Sequence, residues 1–121
     1  MDFEKYKNSK DGLKLLERLK RSLRARGFDV TDFSDDALFD EIEDAILEVN
    51  DRRHFEPTET TLFENKYKGK VINLCICSIA KMGAEGEIIH SENGIYRSYS
   101  DKSTILAEVV PLGRMKSIWL I

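Results

Sequence analysis

Two histidines, His54 and His90, and two cysteines, Cys75 and Cys77, are the side chains of this chain best suited to ligating a metal or acting as nucleophile and base. A zinc site needs three or four such ligands at short, regular spacings, and a reactive thiol needs a cationic or basic neighbour. Neither pattern is present. The histidines stand far apart, and Cys75-Ile76-Cys77 is too tight for a disulfide on one element and lacks metal-ligand spacing. The cysteines are expected to be reduced, buried and cytosolic, and no metal or other cofactor is expected. Glu85 and Glu87 flank Gly86 as a pair of carboxylates, but no partner for acid–base work is legible beside them. A charged turn at a helix end is the expectation there. Gly83-Ala84-Glu85-Gly86-Glu87 is no phosphate loop, since it follows a helical pattern rather than a strand and has no lysine after its second glycine. No catalytic residue is assigned, and no enzymatic activity is expected.

Recognition chemistry is better represented. In the stretch Gly83–Tyr99, Asn93-Gly94 is a strong signal for a two-residue hairpin turn, and Gly83 and Gly86 are read as ending the preceding helix. Folding about the turn pairs Ser91 with Tyr96, His90 with Arg97 and Ile88 with Tyr99, so that Arg97 and Tyr99 share one face and Tyr96 lies on the other. A lone ribbon of two strands is marginal in water and must lie on something. The chain ends in Pro-Leu-Gly-Arg-Met-Lys-Ser-Ile-Trp-Leu-Ile, basic and then abruptly apolar. Residues 110–121 either fold back onto the core or serve as a partner-docking tail through Trp119.

The elements that position these groups are mainly helical. The 121 residues are expected to form a single domain, with 34% charged residues and a net charge of -3, an acidic balance that argues against coating nucleic acid. No apolar run is long enough to span a bilayer, and the polar first ten residues do not resemble a secretion signal. Residues 1–26 read as one basic amphipathic helix with a Leu13, Leu16, Leu19 and Leu23 stripe, weakened by Gly12 and closed by Gly27. That segment holds nine basic residues against four acidic ones. A second helix, capped by Ser34, buries Leu38, Ile42, Ala45, Ile46 and Val49 and is acidic elsewhere. The opposite signs suggest complementarity, within one subunit or between neighbours. A third helix is predicted from about Thr58 to Met82, with Val71–Ala80 helical rather than a buried strand and Gly69 a weak spot. After the ribbon, a short helix from about Asp101 to Val109 turns Ile105, Leu106 and Val109 inward and stops at Pro111. The fold expected is an antiparallel bundle of about four helices with a small β-hairpin between the last two.

The order of these features resembles the small head-to-tail connector, or adaptor, proteins of long-tailed bacteriophages, which form the ring below the portal. The resemblance covers roughly residues 13–111. It is carried by the acidic helix DDALFDEIEDAILEVNDRR, Pro57 ahead of a long apolar helix, then GAEGE and HSENGIYRSY, and a short helix ending near Val109-Val110-Pro111. The signature falls on Gly83, Ala84, Glu85, Gly86, Ser91, Glu92, Gly94 and Tyr99. Asn93 replaces a glycine there, which left-handed geometry tolerates, and the tryptophan-bearing end has no counterpart. The resemblance implies a structural virion protein without catalysis, acting in DNA packaging and head completion at the head–tail junction and made in the host cytoplasm. It implies a homo-oligomeric ring of about twelve copies. The ring would bind the portal protein and a downstream connector, stopper or tail protein, and pass double-stranded DNA without sequence-specific binding. It involves no membrane. Interface candidates are Gly83, Glu85, Gly86, Ser91, Glu92, Gly94, Tyr96, Arg97, Tyr99 and Trp119. The reading from another class is a small helical DNA-binding or antitoxin-like regulator whose basic first helix contacts phosphates.

Overall fold

The computed structural model describes residues 1–86 and 102–111, with 82–86 as backbone alone. Among them the chain is mainly helical, with α1 over Phe3–Lys7, α2 over Lys10–Ala25, α3 over Asp35–Arg53, α4 over Lys68–Gly86 and α5 over Lys102–Ala107. The β-hairpin expected after Gly86 lies outside the described residues.

The single basic helix expected over residues 1–26 is two helices. Ser9 breaks it, because its hydroxyl accepts from the Gly12 N–H (3.1 Å) and donates to the Tyr6 carbonyl (2.5 Å). A serine hydroxyl that caps a new helix outcompetes continuation of the old one. The chain then folds α1 back over the first turn of α2, with Gly12 buried at the contact. A Cβ on Gly12 would lie 2.9 Å from Lys7 Cα and 2.8 Å from the Tyr6 carbonyl carbon, and closer still to its oxygen. Gly12 is therefore a packing requirement rather than a weak point. α1 contributes Tyr6 to the core, edge-on to Phe63, while Phe3 stands edge-on to Phe39.

α2 ends at the predicted glycine. Gly27 has φ +89°, and the Phe28 and Gly27 N–H groups bond the carbonyls of Leu23 and Arg24, closing a Schellman turn. α3 opens on Ser34, whose hydroxyl accepts from the Ala37 N–H at 3.1 Å. It ends with the same wiring on a residue less suited to it: His54 has φ +61°, and Phe55 bonds back to Asn50. The third helix starts at Lys68, after a 3-10 turn at Asn65–Tyr67, and not near Thr58. Between them the Thr58 hydroxyl accepts from the Thr61 N–H, holding a turn, and Leu62 and Phe63 enter the core from irregular chain. Asn50, buried on α3, fixes that segment by donating to the Leu62 carbonyl at 3.0 Å.

Val71–Ala80 is helical, as the length argument predicts, and Val71, Ile72, Leu74, Cys75, Ile76, Cys77, Ile79 and Ala80 are buried. α2 and α3 both pack against α4, which is why α4 is apolar nearly all round. α4 continues through Gly83 to Gly86, so Gly83 does not stop it. Glycine permits a left-handed turn without compelling one.

Candidate interaction surfaces

Of the residues with potential chemistry, His90 and Glu87 lie outside the described residues, and the described ones are dispersed. His54 is exposed at the end of α3, and Cys75 and Cys77 are buried in α4. Burial pushes the Cys75 thiol well above its ordinary range, so it is an inert core side chain. Among the described residues no group of three or more His, Cys, Asp or Glu is placed to hold a metal ion. No helix among them is long and apolar enough to cross a membrane.

Of the interface candidates, Gly83, Glu85 and Gly86 share the C-terminal end of α4. Ser91, Glu92, Gly94, Tyr96, Arg97, Tyr99 and Trp119 lie outside the described residues. The short helix returning to the bundle is firmly held. Arg52 Nε donates to the carbonyls of Leu106 (3.3 Å) and Val109 (3.2 Å), covering the carbonyl end of α5. Arg53 forms a bidentate pair with Glu64 at 2.6 and 3.3 Å, while its other nitrogen donates to the Val110 carbonyl at 2.7 Å. The Arg53 and Glu64 side chains are 12% and 24% exposed, and the carboxylate holds the guanidinium pKa up. Lys102 reaches Glu48 at 3.4 Å, and Lys70 pairs with Glu108. In sequence Arg52 and Arg53 stand at the end of the acidic helix, with no partner assigned to them. The available signal was their position in the last turn of a helix dense in acids, where cations meet free carbonyls.

The outer faces of α2 and α3 are the features that most resemble binding surfaces. On α2 the buried residues are Gly12, Leu15, Leu16, Leu19 and Leu23. Leu13, assigned to the core by its spacing, is instead 51% exposed. It stands with Lys14, Glu17, Arg18, Arg21 and Lys68 around an open groove. Lys10 and Arg24 extend the same exposed side. On α3, helical spacing brings Asp36, Asp40, Glu43, Asp44 and Asp51 onto the side opposite Leu38, Ile42 and Val49, with Leu47 among them at 59% exposure. Among the described residues Glu17 pairs with Lys20 at 3.9 Å, and the other charged side chains of the two faces are in no ion pair. The two helices do join at their flanks, through Lys20 and Asp35 at 2.7 Å. Beyond that bridge the opposite charges face away from each other, since each stripe lies across its helix from the core. Glu41, half-buried on the flank of α3, has its pKa raised by desolvation and by Asp44, reinforced by Asp40 and Glu48 against the lowering effect of Lys102. Comparison with known proteins finds no matching family model, no matching curated protein and no matching solved structure.

Proposed function

We propose that the chain is a structural subunit of a bacteriophage head-to-tail connector, assembling as a ring of about twelve copies between the portal and the next connector or tail protein. What supports this reading is the order of its parts. An acidic helix, a long apolar helix carrying Gly83-Ala84-Glu85-Gly86 at its end, and a short helix leading into Val109-Val110-Pro111 follow one another as the sequence resemblance requires. A ring built head to tail needs two different and complementary faces on each subunit, and α2 and α3 offer faces of opposite sign. No bond is made or broken. An acidic subunit also suits a conduit through which DNA must slide, because neutralising phosphates would hold it. Gly94, Tyr96, Arg97 and Tyr99 carry subunit or portal contacts in this reading, Arg and Tyr being frequent anchors of interfaces.

The test is reconstitution with the portal protein encoded beside it, followed by mass measurement of the complex and by imaging. About one subunit per portal chain is expected; one or two copies per whole portal would defeat the reading. The hairpin turn expected at Asn93-Gly94 calls for positive φ, which valine resists, so Gly94→Val should impair incorporation more than thermal stability. A second reading, a small nucleic-acid-binding regulator, draws on the Lys10–Arg24 stripe of α2. It predicts duplex binding at about 0.15 M salt with a steep salt dependence.

A further inference from the structure

The exposed stripes of α2 and α3 match each other in more than sign. Along the helix axis Lys10 to Arg24 covers about 21 Å and Asp36 to Asp51 about 22 Å. Each carries a single exposed leucine near one end, Leu13 close to the start of the α2 stripe and Leu47 close to the finish of the α3 stripe. Set antiparallel, with Leu13 opposite Leu47, the basic positions of α2 come into register with acids of α3, while Glu17, paired with Lys20 on its own helix, is the one α2 acid in the groove. Lys10 falls opposite Asp51, Arg18 opposite Glu43, Arg21 opposite Asp40 and Arg24 opposite Asp36. A parallel arrangement with the leucines in contact would leave about half of each stripe beyond the end of the other. Within one subunit the pairing is impossible, because both stripes face away from the core that α2 and α3 share.

We infer that the acidic outer face of α3 docks, antiparallel, into the basic groove of α2 on a second copy of this chain, with Leu47 seated against Leu13. The inference deepens the assembly reading above and rests on it for the idea that copies meet head to tail. The contact is heterologous: every bound copy still presents a free acidic face at one side and a free basic groove at the other, so association continues until a ring closes. Two helix faces of four turns form a small, charged interface, which places it among weak and salt-sensitive contacts. The Leu13–Leu47 contact fixes the register, and the charges steer the approach and exclude a like-faced encounter.

Sedimentation velocity of the full chain tests this. At about 20 mM salt the average mass should rise with protein concentration, and at about 0.5 M salt it should return to that of the monomer. Arg21→Glu/Arg24→Glu and Asp36→Arg/Asp40→Arg should each abolish association alone, and mixing the two variants should restore it, because the swapped charges pair. Register is read by oxidative cross-linking, with Cys75 and Cys77 buried out of reach. Leu13→Cys and Leu47→Cys chains should link when mixed and not when separate. A monomer at low salt and millimolar concentration would overturn the inference, as would Leu13→Cys chains linking to themselves. Retardation of duplex DNA by the wild type, lost in Arg21→Glu/Arg24→Glu, would assign the groove to phosphate and overturn it equally. Portal-bound rings that form normally from both charge variants would sink this contact while leaving the connector reading standing. Salt-sensitive, charge-swappable association with no portal binding would do the reverse.

Discussion

Replacing Gly12 by alanine tests the packing of α1 on α2, because propensity and packing predict opposite signs. In a helix free of neighbours the exchange stabilises by about 1 kcal/mol, through the backbone entropy glycine loses on folding. At Gly12 the new methyl would lie 2.9 Å from Lys7 Cα and 2.8 Å from the Tyr6 carbonyl carbon, both backbone atoms that no rotamer change can move aside. α1 must lift. Lifting it withdraws Tyr6, 6% exposed, from the core, a loss of about 2 kcal/mol for a side chain of that size. It also strains the Ser9 hydroxyl bond to the Tyr6 carbonyl, worth about 1 kcal/mol. Against the gain in propensity, Gly12→Ala should cost a net of about 2 kcal/mol, or a fall in Tm of about 8 °C. Gly69→Ala supplies the internal control, since a Cβ there would meet only Arg18 Nη2 at 3.8 Å, the end of a flexible side chain. It should stabilise by about 0.5 kcal/mol. Urea unfolding of the two variants beside the wild type decides the matter. A Gly12→Ala chain as stable as the wild type would show that α1 does not sit on α2 as described.

Other substitutions probe the caps, the clamp and the core. His54→Gly should stabilise by about 1 kcal/mol in denaturant unfolding, since it relieves a left-handed residue at the end of α3 while keeping the bonds of the turn. Arg53→Ala removes the bidentate partner of Glu64, leaving it Lys66 at 4.0 Å, and frees the Val110 carbonyl to water, and should cost about 2 kcal/mol. Hydrogen exchange should show α5 losing protection first. Tyr6 has its pKa pushed up to about 12, first by burial and then by Asp11. The unfolded chain releases that proton near pH 10 while the folded chain retains it, so stability should fall as pH rises between about 10 and 12. Tyr6→Phe should make that alkaline limb shallower, the rest of the fall coming from the buried Cys75 thiol, and an unchanged limb would place the titration elsewhere. Leu74→Ala and Ile79→Ala should each cost about 2–5 kcal/mol, as both are buried on α4.

Local chemistry determined much of this protein. Ser34 as a cap, Gly27 as a left-handed stop, the Leu38–Val49 stripe and the helical state of Val71–Ala80 were all legible, because each depends on residues within a turn or two of itself. The opposite charges of α2 and α3 were legible for the same reason. Where a helix begins among competing hydroxyls was not. Ser9 and Thr58 bond their own neighbouring backbone, and whether that outweighs a longer helix depends on what α1 and Leu62-Phe63 gain by packing. Nor does spacing decide between Leu13 and Leu15. They stand two residues apart, on nearly opposite sides of α2, and the helix can turn only one of them toward α4. The packing of α4 against α2 selects Leu15 for the core and leaves Leu13 at the surface. The same rotation carries the cations of α2 away from the acids of α3. Charge is written in the chain, but the direction it faces is set by the core on its other side.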